Sequence, residues 1–427
     1  MNGLNELSAH EAARRIRDGE ITSEALVRDC LHRITKNEHS IHAWQHVDTS
    51  HALHQARTCD TMPAKGVLHG VPIGIKDLID TADMPTCYGS NIYAGYQPKR
   101  DAECVKRLRD SGAVILGKTV TTEFATFKPP LTRNPHDLNR TPGGSSSGSA
   151  AAVSDQMVPL ALGTQTAGSV IRPAAFCGVV GFKPTFGYCS TTGVKTLSNE
   201  LDTLGMFARD TRDTALLATC LGRAGTALLD VGRKPSRIGL FRGPNWDQVD
   251  APLKTEIEKV CEIIGRSKVS VVTKASTDGF SDLLDVQHTI MCADMAESLA
   301  PEFGNHYSEL SKPLQQLIEY GLGLDDEKIK AARECARLAR VEVEKLFGDC
   351  SFLITPSAPG EAPGMETTGT PLFNKIWTLL HLPCLNLPIG CGPGSLPLSI
   401  QLVARANDEA TLLGGAAWVE KILAERS

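Results

Sequence analysis

Apolar residues in the first 60 positions recur at helical spacing. Leu26, Val27, Cys30, Leu31 and Ile34 fall on one face of a 3.6-residue turn, and Thr22-Ser23 stands where a hydroxyl caps a helix. The pattern predicts helices through residue 60. From 66 to 80, GVLHGVPIGIKDLID is rich in β-branched residues and glycine and reads as a buried strand leading into a loop. Residues 101–109 read as a helix, AVILGKT (113–119) as a strand, TTEFA (121–125) as the opening of a helix, and VPLALG (158–163) as a buried strand. Beyond Phe186 the signal is weaker. RIGLFRG (237–243), VSVVTK (269–274) and CSFLITPSAP (350–359) read as strands, the last running into a Pro-rich loop; 252–264 and 326–347 read as long helices. LPCLNLPIG (382–390) and LPLSIQLVAR (396–405) read as a closing pair of strands, and 407–424 as a final helix. Strands alternating with helices predict an α/β class. No internal repeat or long linker interrupts the chain, which predicts one domain: N-terminal helices 1–60, a core about 66–210, and closing strands and helix about 350–427.

Composition narrows this picture. Of 427 residues, 41% are apolar and 22% charged, ordinary values that exclude wholesale disorder. With 44 basic and 49 acidic residues the net charge is −5, which argues against nucleic acid as the main partner. No apolar run approaches membrane-spanning length, and the first 20 residues lack the apolar stretch of a signal peptide. The 13 cysteines are odd in number, scattered and free of CxxC pairs, as expected for reduced thiols in a cytoplasm.

Three segments carry candidate chemistry. On VPIGIK, alternation puts Val71, Ile73 and Ile75 on one face and Pro72, Gly74 and Lys76 on the other. Two small residues beside a lysine leave room to approach its amine, and a desolvated amine becomes a neutral base near pH 7. A surface lysine at a strand end is the plainer reading of this segment alone. In GGSSSGS (143–149), paired glycines free the backbone for close approach and the three consecutive serines that follow add hydroxyls. As a linker the run is short and adjoins apolar segments at once. It contains G-x-S-x-G centred on Ser146, but a nucleophile elbow needs a preceding strand, and LNRTP is loop sequence. No Gly-Lys-Ser/Thr follows, so it is not a phosphate loop. In GTQTAGS (163–169), a turn of small residues follows the VPLALG strand, and Ser169 stands where a helix begins. The N–H groups of Thr166, Ala167, Gly168 and Ser169 at such a turn face a developing oxyanion, or else Ser169 merely caps a tight turn.

Other candidates are weaker. Six of the 12 histidines lie between 32 and 54, and His42 and His46 are four apart, yet no HExxH or cysteine partner accompanies them. They read as exposed helix residues. Cys177, in AAFCGVVGF, reads as an inert core thiol.

At the three segments the chain resembles the amidase signature family, strongly over residues 68–187 and more loosely over PLFNKIWTLLHLPCLNLP, with its middle most like the malonamidases. The resemblance implies a mixed β-sheet flanked by helices on both faces. It implies a Ser-cisSer-Lys triad in which Ser169 is the nucleophile, Ser145 the cis member and Lys76 the base, with the Thr166–Ser169 backbone as oxyanion hole and no metal or organic cofactor. Gln165 stands where the family commonly has Asp, and Ala167 where Gly is common, which puts the support of that hole in question. The family usually places Arg two residues after the nucleophile; Arg172 is three after. Likeness to malonamidases makes Arg172 a substrate-binding residue for a small acid amide such as malonamate. A structural arginine bonding buried carbonyls is the other reading, and Pro173 disfavours helical geometry at Arg172.

The expected activity is hydrolysis of a small carboxamide to a carboxylate and ammonia or an amine. The alternatives are a glutaminase component of an aminoacyl-tRNA amidation complex and a non-catalytic binding protein on the same fold. The expected partner is a small-molecule amide, without nucleic acid or membrane, and a homodimer is one arrangement left open.

Overall fold

The computed structural model describes residues 3–222, 233–276 and 279–425. Eleven strands form one sheet: β1 (Trp44–Val47), β2 (Pro72–Lys76), β3 (Val114–Thr119), β4 (Leu160–Gln165), β5 (Val180–Lys183), β6 (Thr203–Ala208), β7 (Arg237–Phe241), β8 (Ser270–Lys274), β9 (Phe352–Pro356), β10 (Cys384–Cys391) and β11 (Pro397–Val403). Their order is β1-β3-β2-β4-β6-β5-β10-β11-β9-β7-β8. β2 runs parallel to both β3 and β4, the middle from β4 to β9 is antiparallel, and β9, β7 and β8 are parallel again. This is the mixed sheet expected.

Helices cover both faces. Alternate residues of a strand point to opposite sides. Phe352, Ile354 and Leu385 enter one apolar cluster, while Leu353 and Cys384 enter another. The first cluster takes in helices Thr211–Leu221, Ala251–Arg266 and Glu409–Ala424; the second takes in Leu283–Ser298, Lys312–Leu322 and Asp326–Glu342. Among the described residues no helix is long and apolar enough to cross a membrane.

The glycine- and serine-rich run is structural, not a linker. Ser147–Ser154 is a helix of small side chains packed against β2, β3, β4 and β6, with its first seven residues buried. A Cβ at Gly148 would collide with the backbone at Ala43 O and Val120 N, so only glycine lets the helix sit this close to the sheet edge.

Several expectations need correction. The N-terminal helices are interrupted: the helix Ser23–Ile41 ends on His42 in the left-handed region (φ 54°), and β1 follows as an edge strand carrying His46. Neither histidine is a helix residue. Pairing with β3 and the Glu38 carboxylate, which accepts the N–H groups of Ala43 and Trp44, override local helical propensity. TTEFA makes a single 3₁₀ turn at Glu123–Ala125, with positive φ at Phe124 and Ala125. The 326–347 helix breaks at Val343. The periodicity gave no forecast of β5, β6 or the helices Leu283–Ser298 and Lys312–Leu322.

Gly148→Ala should destabilise the protein by about 1–3 kcal/mol or more, because the methyl group meets backbone that cannot step aside; a lowered urea midpoint at unchanged m-value checks this.

Candidate active site

Parallel pairing places the site. Ile75 of β2 lies beside Leu162 of β4, so both strands deliver their C-terminal ends to one edge, where ligand crevices of parallel sheets form. Lys76 is the last residue of β2, and the turn 166–169 begins directly after β4. Lys76 is fully buried, and its Nζ donates to Ser145 Oγ at 2.8 Å and Thr164 Oγ1 at 2.7 Å. Burial drives its amine well below the ordinary lysine value, and the carboxylate of Asp202 pulls it back only in part. The surface-lysine reading is excluded.

Ser145 follows a cis peptide bond from Gly144. Arg172 Nη2 donates to Gly144 O at 2.6 Å, and Gly143 packs against Pro173, so the segment bearing Ser145 is clamped to the segment bearing Ser169. Ser169 is 7% exposed and lies just ahead of the helix Ile171–Cys177. Its Oγ forms no hydrogen bond to Lys76 or Ser145 among the described residues. The structure thus joins Lys76 and Ser145 directly and sets Ser169 on the adjoining segment.

Ser146 plays a different part. Its Oγ bonds both Thr164 N and Thr164 O at 3.3 Å, and no strand precedes it, so it is not an elbow nucleophile. Cys177 is fully buried, with its thiol held protonated by desolvation.

The turn after β4 is held by its carbonyls. Thr166 O accepts from Gln287 Nε2 at 3.1 Å, Ala167 O from Thr378 Oγ1 at 2.9 Å, and Gly168 O from Arg172 N at 3.0 Å. The N–H groups of Ala167, Gly168 and Ser169 form no hydrogen bond among the described residues, so three donors are free to meet an oxyanion. Gln165 does what the missing Asp put in question. Its Oε1 accepts from Val170 N (2.9 Å) and Ile171 N (3.1 Å), and its Nε2 donates to Thr378 Oγ1 (3.0 Å). Thr166 Oγ1 donates to Asp202 Oδ1 at 2.5 Å.

Arg172 is 2% exposed, with Nε and Nη1 unpartnered. Burial pulls its guanidinium down to about 9, which leaves it charged at neutral pH. Contrary to the proline argument, Arg172 is helical. Pro173 falls in the first turn, where its missing N–H is no loss. Both readings of Arg172 have a footing: one nitrogen holds a buried carbonyl, and two remain free.

Sequence reasoning missed Thr164, Asp202, Gln287 and Thr378. Asp202 lies in SNELDTLG and Thr378 in an apolar run, neither with a motif. Thr164 alone had a signal, since alternation on β4 sets it in line with Thr166. His10, Asp210 and Asp213 bring ligand atoms within 4.8 Å of one another, but the carboxylates are occupied as caps: Asp213 accepts from Ala9 N and His10 N, and Asp210 from Asp213 N.

The amidase family pattern matches residues 25–413. The chain belongs to the amidase family. It is accordingly an amidase-signature hydrolase acting on amide C–N bonds. It is 34% identical to a glutamyl-tRNA(Gln) amidotransferase subunit of Anaeromyxobacter dehalogenans, over 99% of this chain and 96% of that one, and 33% identical to the corresponding subunit of Oleidesulfovibrio alaskensis, over 96% of each. Among solved structures it is similar to an amidase (26% identity, TM-score 0.89, 97% of this chain and 99% of that one). It is also similar to the peptide amidase of Stenotrophomonas maltophilia (27%, TM-score 0.87, 97% and 96%). These relatives are amidotransferase subunits and amidases, so the likeness to malonamidases rests on the middle segment alone.

Gln165→Met should leave the Val170 and Ile171 N–H groups unpaired, lowering stability by about 1–3 kcal/mol and slowing turnover; denaturant midpoints and amide hydrolysis rates read the two effects.

Proposed function

We propose that the protein hydrolyses a small carboxamide bearing a carboxylate, through an acyl-enzyme on Ser169. The observation that supports this best is a fully buried amine 2.8 Å from the Ser145 hydroxyl, with burial favouring its neutral form. Ser169 Oγ attacks the amide carbonyl, and its proton passes to Ser145 Oγ as that of Ser145 passes to Lys76 Nζ. The carbonyl oxygen gains the electron pair and meets the free N–H groups of the 167–169 turn. As the C–N bond breaks, the proton returns along the same path to the leaving nitrogen. Water then cleaves the ester by the reverse sequence.

The acid-amide class rests on Arg172, which is charged, buried, without a carboxylate partner among the described residues, and has two free donors. Glutamine and malonamate both belong to this class. Glutamine is favoured by the amidotransferase relatives, and with it a partner that receives the ammonia. Malonamate has only the likeness of one segment behind it. The match to the A. dehalogenans protein runs over 483 positions against 427 residues here, so this chain lacks segments of that relative. A panel of glutamine, malonamate, aliphatic and aryl amides, assayed with the protein alone and with its co-purifying partners, separates the cases.

Ser169→Ala and Lys76→Ala should each lower hydrolysis by about 10²-fold or more; wild-type turnover in either would overturn the assignment. Because Lys76 acts when unprotonated, activity should rise with pH, and a flat profile between about pH 5 and 9 would count against it. Arg172→Ala should raise KM for acid amides about tenfold or more relative to neutral amides; an equal loss on both classes would leave Arg172 a purely structural clamp.

A further inference from the structure

We propose that Asp202 is a positioning residue that supplies the counter-charge for Lys76 while Lys76 carries the serine proton. The inference rests on the triad reading above and deepens it. When Lys76 takes a proton from Ser145, an ammonium forms among buried groups whose direct partners, Ser145 and Thr164, are neutral hydroxyls. Such a charge is costly unless an opposite charge faces it. Thr164, which accepts from Lys76, and Thr166, which donates to Asp202, stand two residues apart at the end of β4, so the carboxylate is held beside the amine, where its charge favours the ammonium.

The local geometry fixes this carboxylate. Gln165 at the end of β4 pairs with Thr203 at the start of β6, which brings Asp202 level with the turn. Its Oδ1 accepts from Thr166 Oγ1 at 2.5 Å, and its Oδ2 from Leu197 N at 2.7 Å and Ser198 N at 3.1 Å. Three donors aimed at one carboxylate favour its ionised form, while burial works the other way and lifts it to about 6. The same contacts tie the counter-charge to the oxyanion turn through Thr166.

Other titratable groups nearby are engaged elsewhere. Asp294 of the helix Leu283–Ser298 accepts from Ser198 Oγ, Glu200 N and Arg333 Nη2. Glu200 accepts from Arg333 Nε, and His381 Nε2 meets the Glu200 carbonyl. The thiol of Cys189 is kept protonated by burial. Asp202, Ser198, Asn199, Thr196 and Cys189 line a cavity of about 70 Å³, room enough for water to exchange protons with the carboxylate.

The test is the pH profile of kcat/KM for Asp202→Asn. Without the counter-charge Lys76 is a weaker base, so the acid limb should move to lower pH by about one unit or more, while the plateau falls. A merely structural role would lower the plateau and leave the limb in place; that result, or a profile matching wild type, overturns the proposal. Should the asparagine variant fail to fold, Thr166→Val serves instead. It removes one donor that stabilises the ionised carboxylate, so the limb should move in the same direction by less, and an unmoved limb overturns the proposal. Ser169→Ala and Lys76→Ala assayed alongside keep the two readings apart. If those variants retain activity the triad reading fails; if they are inactive and the Asp202 limb is unmoved, only the counter-charge fails.

Discussion

The structure turns on one lysine whose surroundings disfavour its charge. Lys76 ends a strand with sheet neighbours on both sides and every position buried. No carboxylate lies within salt-bridge distance of its amine among the described residues. Its close polar contacts are two hydroxyls, which satisfy the amine without requiring an ammonium. A buried cation is costly, so desolvation favours the neutral form, and a neutral amine has the lone pair that a base needs.

Around that amine the chain places small residues where larger side chains would intrude. The helix behind Ser146 is made of serine, glycine, alanine and a single valine, so its backbone can lie on the sheet. Gly163 makes room for Ser146, whose hydroxyl then bonds both backbone groups of Thr164 and fixes the threonine that touches Lys76. Arg172 closes the opposite side by holding Gly144 O. Segments well apart in sequence become one rigid unit through buried polar contacts, which demand specific geometry in a low-dielectric interior.

The turn after β4 follows the same logic. Its carbonyls are taken by Gln287, Thr378 and the Arg172 N–H, drawn from three different elements. With the acceptors committed outward, the N–H groups are left as donors. Gln165 holds the following segment with a neutral amide: its oxygen receives two backbone N–H groups, and its nitrogen reaches Thr378. The amidases of known structure share the overall architecture at 26–27% identity, so the fold tolerates wide substitution.

The sequence alone determined much of the local order. Apolar runs named nearly all the strands with strong β-branched content, and three glycine-bearing segments marked Lys76, Ser145 and Ser169 from pattern and resemblance. What it left open was decided by long-range contact. β1 forms where helical spacing was read because β3 and Glu38 offer partners for its backbone. Asp202, Gln287 and Thr378 have no motif, and they matter only because pairing of β4 with β6 and the packing of two helices bring them to one turn. The direction of Arg172, and whether Gln165 could serve, depended on atoms that lie far away along the chain or across a bend in it. Periodicity records which face of an element is apolar; it carries no record of which distant polar group that face will meet.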